Sequence, residues 1–236
     1  MAKQSKKNAL DSRKQDDVSG FLQKLHSLPR VNVGELKGRL LFCLDATASR
    51  ESMWDQACQI QGEMFVETKE LGGLEVQLVY YRGFEEFSFT KWTSRPDDLI
   101  KDMISVKCLG GRTEINKILL HALEESRKGR VSAIVFVGDS MEEDPDTLCH
   151  IAAKLGMRNL PVFVFQEGYD HVAKSTFVQI ARLSGGAWCN FDSSSPQQLR
   201  DLLSAVAVYA AGGRRALLNY GKNKKGEVLR IAQQLK

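Results

Sequence analysis

No two of the five cysteines, at positions 43, 58, 108, 149 and 189, stand at CxxC spacing, and their number is odd. That pattern does not fit a disulfide framework, and a reducing cytoplasm is the expected compartment. No apolar run reaches the ~18 residues that a membrane span needs. The four histidines (26, 121, 150 and 171) show neither HxxxH nor HExxH spacing, so zinc chemistry has no support. A GxxxxGK[ST] segment is missing, which excludes a P-loop nucleotide site. The opening MAKQSKKNALDSRKQDD is polar with no apolar stretch behind it, so no secretory leader is expected.

What is present is an average globular composition, 43% hydrophobic and 26% charged over 236 residues. Such a chain holds one domain plus ends. Its net charge of +4 hides an asymmetry. Residues 1–30 carry seven basic against three acidic side chains, and residues 212–236 seven against Glu227 alone. The body between them holds nineteen basic and twenty-five acidic residues. An acidic body with basic ends is unlike a nucleic-acid-binding domain, whose basic stripe lies on the folded surface.

Apolar periodicity orders the elements. Residues 1–37 read as a polar extension containing one short amphipathic segment, FLQKLHSL (21–28). RLLFCLD (39–45) is a near-continuous apolar run, as expected of a strand buried on both faces. A long helix follows from about Ser49 to Leu71, closed by Gly72-Gly73. LEVQLVYY (74–81) and EFSFT (86–90) form a hairpin about Arg82-Gly83, with Tyr80 and Tyr81 packing on opposite faces. Pro96 opens the helix PDDLIKDMISV. The loop CLGGRT (108–113) leads to a helix over 114–128. Strand SAIVFVGD (132–139), helix 145–158, strand 160–166, helix 174–184, strand 186–191 and helix 196–211 complete the body. Residues 212–236 form a basic tail with a short amphipathic helix of its own.

Strands alternating with helices of a dozen residues imply parallel crossovers. The expected fold is α/β: a doubly wound three-layer sandwich with a mostly parallel central sheet of about six strands. One edge strand is antiparallel, and helices cover both faces. Ligands of such sheets lie beyond the carboxyl ends of the strands. Three polar segments stand there: Asp45-Ala46-Thr47-Ala48-Ser49, the loop ending in Thr113, and Gly138-Asp139-Ser140. Their carboxylates and hydroxyls suit a hard divalent cation, which takes about six oxygen ligands and keeps several waters.

LLFCLDATAS, then GGRT, then VFVGD resembles the von Willebrand factor A domain with its metal-ion-dependent adhesion site. The resemblance covers residues 38–211 and is nearest to a bacterial intracellular branch that pairs this domain with short ends. Its D-x-S-x-S pattern, later Thr and later Asp fall on Asp45, Thr47, Ser49, Thr113 and Asp139. Thr47 departs from the pattern by replacing the first Ser, keeping the hydroxyl and adding a methyl. The resemblance implies a bound Mg²⁺, or Mn²⁺ or Ca²⁺, that accepts an acidic side chain from a partner protein. For intracellular members it also implies work beside AAA+ ATPases or in complex assembly. Arg112, Ser140 and Glu142 are the residues expected to touch the partner.

Against this stands ordinary capping, since Ser, Thr and Asp are favoured at strand-to-helix turns. Of the acids in GDSMEEDPD, Asp144 is expected to cap the next helix and the others to be solvated. Cys108 is the one cysteine placed for reactivity. Among enzymes, a haloacid-dehalogenase-like phosphotransferase comes nearest, with Asp45 as nucleophile and Gly138-Asp139 to Asp144 as its Mg²⁺ segment. That chemistry needs a second Asp two residues after the first as general acid, and Thr47 stands there. An interaction module, not an enzyme, is the expectation.

Overall fold

The computed structural model describes residues 37–51, 54, 55, 58, 68, 73–191 and 196–223. The amphipathic segment 21–28, most of the expected helix over 49–71 and the tail beyond 223 lie outside the described residues. Six strands form the sheet: β1 (Gly38–Asp45), β2 (Leu74–Arg82), β3 (Glu86–Phe89), β4 (Ala133–Gly138), β5 (Val162–Glu167) and β6 (Ala187–Phe191). Among the described residues five long helices accompany them: α1 (Pro96–Ser105), α2 (Ile115–Lys128), α3 (Pro145–Met157), α4 (His171–Ser184) and α5 (Pro196–Asn223).

The sheet order is β3-β2-β1-β4-β5-β6, and every pairing is parallel except β2 with β3 at the edge. Alternate residues of the central strands feed two separate cores. Leu40, Phe42 and Leu44 of β1 pack with Leu99 and Met103 of α1 and Val206 of α5. Leu41 and Cys43 face the other way, with Ile118 of α2, Leu155 of α3 and Phe177 of α4. The result is the expected three-layer sandwich. Tyr80 meets Trp54 edge-on at 5.9 Å on the first face, while Tyr81 is buried in the second core.

Two helices depart from the sequence reading. α4 begins at His171, not 174, because the Asp170 carboxylate accepts hydrogen bonds from the amides of Val172 and Ala173. α5 runs past 211 to Asn223, broken at Gly213, whose φ of 68° no ordinary residue adopts easily. Beyond the break the chain still packs on the body, with Leu217 buried in the first core. At the other end of β1, a Cβ on Gly38 would lie 2.3 Å from the carbonyl oxygen of Ala210, so glycine is what lets α5 approach the sheet.

His121 of α2 closes the β2–β3 edge. Its Nε2 lies 2.8 Å from Gln77 Oε1, and its ring stacks against Phe89 with centroids 4.2 Å apart. Burial lowers its pKa, with Glu125 and Glu124 opposing and Lys128 assisting. A depressed histidine contributes stability that is whole above the unfolded value of 6.5 and is lost as the pH falls from there through the folded value. The unfolding midpoint is therefore expected to fall on acidification from pH 7.5 to 5, and His121→Gln to flatten that part of the profile. Calorimetric scans of both proteins check this.

Candidate functional site

In the sheet order, β1 lies between β2 on one side and β4 on the other, so the chain reverses its winding there. That switch point opens a crevice beyond the carboxyl ends of β1 and β4. Asp45 is the last residue of β1, and Asp139 follows the last residue of β4.

Asp45 is wholly buried. Its Oδ1 accepts a 2.8 Å hydrogen bond from the Thr47 amide, which turns the chain off the strand. Its Oδ2 is buried without a hydrogen-bond partner. From Thr47 a chain of oxygens crosses the crevice. Thr47 Oγ1 lies 3.3 Å from Ser49 Oγ, and Ser49 donates to Asp139 Oδ2 at 3.0 Å. Ser140 donates to Asp139 Oδ1 at 3.2 Å. Desolvation raises the Asp45 pKa, the Thr47 hydrogen bonds oppose it, and the nearby Asp139 adds to the rise. Without a cation, the site resists its own charge.

Thr113 enters through a different set of bonds. Its hydroxyl donates to Glu143 Oε2 at 2.5 Å and accepts from the Glu142 amide at 2.9 Å. The other Glu143 oxygen accepts from the amides of Ile115 and Asn116. These are the first amides of α2, which Glu114 in the capping position leaves without a side-chain acceptor. A carboxylate there also complements the helix dipole. Glu143 thus ties the loop after Asp139 to Thr113, although the sequence reading left it solvated. Asp144 does cap α3, accepting from the Thr147 amide at 2.8 Å. The side chain of Glu142, the neighbour singled out from sequence, is exposed.

The Thr113 loop is held on its far side by main-chain contacts. Leu109 N donates to Ala46 O, Gly83 N to Leu109 O, and Arg112 N to Gly83 O. A Cβ on Gly111 would fall 1.6 Å from Gly83 O, so this approach requires glycine. Cys108 lies half-buried in the same loop. Burial pushes its thiol up to about 11, which removes the reactivity that its position suggested.

Two further groups escaped the sequence reading. Arg50, 1% exposed, forms an ion pair with Glu167 at the end of β5. Burial lowers its pKa, while Asp139 and Asp45 support its charge. The signal was a basic residue directly after the D-x-T-x-S run, but its partner could not be named without the strand order. Tyr81 is opposite Asp45 in the β1–β2 register, and its buried hydroxyl has no hydrogen-bond partner. Burial, then the Asp45 charge, pushes the Tyr81 phenol well above its ordinary value.

These donors fit a hard divalent ion. They are oxygens only, two carboxylates and three hydroxyls, and one buried carboxylate oxygen lacks a partner. Among the described residues there is no cluster of three or more His, Cys, Asp or Glu that could hold a metal. An oxygen-only, hydroxyl-rich set is of the kind that Mg²⁺, Mn²⁺ or Ca²⁺ takes.

Asp45→Asn is expected to raise the melting temperature in chelator. The raised Asp45 pKa means that its ionisation destabilises the fold at neutral pH, and the amide keeps an acceptor for Thr47 N. Glu143→Ala should cost ~1–3 kcal/mol by urea unfolding, because it strands the Thr113 hydroxyl and helix amides. Glu143→Gln, which keeps an acceptor, should cost less.

No protein-family model and no curated protein matches the chain. Solved structures do. A von Willebrand factor type A protein from Catenulispora acidiphila matches at 12% identity and a TM-score of 0.59, over 72% of this chain and 43% of that one. The SpRpn10 VWA domain matches at 16% and 0.54, over 71% and 94%. Proximal thread matrix protein 1 from the mussel byssus, with a zinc-occupied MIDAS motif, matches at 15% and 0.57, over 72% and 46%. This chain spans less than half the length of the mussel and Catenulispora chains. At such identities the likeness is one of architecture, and the chain has the fold of a von Willebrand factor A domain.

Proposed function

We propose that the chain is a divalent-metal-dependent protein-binding module. The hydroxyls of Thr47, Ser49 and Thr113 and the carboxylates of Asp45 and Asp139 would hold Mg²⁺, Mn²⁺ or Ca²⁺. The ion's chemistry there is to accept a further carboxylate, from an Asp or Glu of a partner protein. The observation that carries this reading is the wholly buried Asp45, whose Oδ2 has no partner at the head of the Thr47–Ser49–Asp139 oxygen chain. Two carboxylates balance a divalent charge without exceeding it and the hydroxyls add none, so the ion would keep an open coordination position for an outside acid.

The zinc-occupied MIDAS motif of the mussel protein supports the view that this fold can hold a divalent ion. We place the working unit at 38–211, with residues 1–37 as a polar extension and 212–236 as a basic tail that packs on the body as far as Leu217, in the cytoplasm of a bacterium. Its free cysteines suit that compartment. Among the described residues no helix is long and apolar enough to cross a membrane. Partners are to be sought first among AAA+ ATPases and complex-assembly proteins, the classes that the sequence resemblance implies. Ser140, beside Asp139, and Arg112, beside Thr113, flank the approach to the ion.

Calorimetric titration of Mg²⁺ and Mn²⁺ into chelator-stripped protein tests the reading. One saturable site is expected, weakened at least about tenfold in Asp45→Ala and Asp139→Ala, or ~1.4 kcal/mol. Because the Asp45 pKa is raised, protons compete with the ion. Affinity should therefore fall as the pH drops through that raised value, with proton release on binding. A folded protein without saturable binding, or variants that bind like the wild type, would make the module a metal-free scaffold.

A further inference from the structure

β3 is an edge of the sheet, with β2 on one side and, among the described residues, no strand on the other. Residue parity decides which of its main-chain groups are spent. Thr90 N donates to Leu78 O, so Thr90 and, by alternation, Ser88 and Glu86 turn their amides and carbonyls toward β2. Phe87 and Phe89 turn theirs away from the sheet. An edge of this kind is a template for another strand.

Edges are commonly blunted by a bulge, a proline or a charge. Here the bulge comes only after the phenylalanines. Leu78 pairs with Thr90 and Val76 with Thr93, so Lys91 and Trp92 stand against Gln77 alone. The stretch Phe87-Ser88-Phe89 carries no such device. Phe89 is 52% exposed, and its ring centroid lies 6.2 Å from that of Phe87 and 4.2 Å from that of His121. The three rings form an apolar rim beside the open edge.

The strand that fits there is written in the edge itself. When β3 pairs antiparallel with a second β3 about Ser88, Phe87 of each copy stands opposite Phe89 of the other. Both positions turn their amides and carbonyls outward, so each pair can exchange both hydrogen bonds. Ser88, whose own groups are spent on β2, meets its equivalent at the two-fold axis, and no charge meets its like there. The same reversal brings the Glu85 end of one strand beside the Lys91 end of the other. Both residues are exposed and have no ion-pair partner among the described residues. Their neighbours are already matched: Glu86 with Arg82, and on α2 Glu114 with Lys117 and Glu125 with Lys128. Lys117 reaches the turn only through the Glu85 carbonyl.

We propose that the chain forms a two-fold dimer through β3, antiparallel to β3 of a second copy, with Phe87 and Phe89 as its apolar seam. The two sheets then run in opposite directions, so the crevices beyond the two β1 strands face opposite ends of one continuous sheet. Such a dimer connects two partners and does not clamp one. The pairing needs no ion.

Sedimentation velocity of the full chain over a concentration series, in reducing buffer, is expected to show a monomer–dimer equilibrium. Phe89→Pro removes only an outward amide and a rim ring, so the fold should survive. Its dimer dissociation constant should rise at least about tenfold. Cross-linking reads the register. At a non-hydrogen-bonded antiparallel pair the Cα atoms lie about 4.5 Å apart, within reach of a disulfide. Ser88→Cys should therefore give an oxidised dimer on a non-reducing gel, well above the background from the native cysteines. Thr90→Cys, which faces Glu86 of the other copy, should not. A wild type that is monomeric at every concentration would overturn the proposal and leave the edge to another protein's strand. A dimer unaffected by Phe89→Pro, or cross-linked as well at 90 as at 88, would overturn it too.

Discussion

A carboxylate at the end of a strand that is buried on both faces is the constraint around which this end of the molecule is arranged. Asp45 follows seven consecutive buried or half-buried residues of β1, and burial penalises its charge. A neutral, fully satisfied residue would serve the fold better. What surrounds Asp45 is instead a partial remedy: one amide from Thr47, the guanidinium charge of Arg50, and a Tyr81 hydroxyl without a partner of its own. One oxygen is left over. Strain of this kind clusters at functional sites, and on the proposed reading a cation would relieve it.

The loops hold the other oxygens of the set in place. Glu143 satisfies the α2 amides and orients the Thr113 hydroxyl in one stroke, so the third segment of the site depends on the loop that carries Asp139. Because Thr113 donates its hydrogen to Glu143 and accepts from the Glu142 amide, one lone pair would remain for an ion. On the other flank, Gly111 and Gly83 join the hairpin turn to the same loop. Thr113 is therefore braced from both sides of the crevice. Movement of either brace would be felt at the oxygen set, which is how occupancy could be transmitted to the surface.

The parts that were legible in sequence are those governed by local pattern. Apolar runs ending in Asp45 and near Asp139 announced central strands, alternation with helices announced parallel crossovers, and Gly-Gly-Arg-Thr announced a tight loop. The polar strand ends could be placed on one edge of the sheet before any coordinates. What could not be read depends on registers between distant strands. Tyr81 meets Asp45 only because β1 and β2 pair in step, and Arg50 reaches Glu167 only because β5 lies beyond β4. Glu143 looked like one of four solvated acids, since nothing local indicates that α2 lacks its own cap. The early start of α4 was missed for the opposite reason: Asp170 is a capping residue in plain view, but the apolar period begins only later.

Electrostatics also explain why an ion would act as a gate and not simply as a bridge. Without one, an incoming carboxylate meets Asp139 with Glu142 and Asp144 nearby, offset by a single buried guanidinium already paired to Glu167. Like charges a few ångströms apart repel, and more strongly where water is displaced. A divalent ion on the oxygen set would neutralise the two site carboxylates, and its open coordination position would draw the same carboxylate in. The phosphotransferase alternative does not share this logic. It would ask Asp45 to attack as a nucleophile, and the position two residues on offers a hydroxyl where a general acid is needed. On the proposed reading, the buried carboxylate and the hydroxyls beside it would hold an ion that takes another protein's acid.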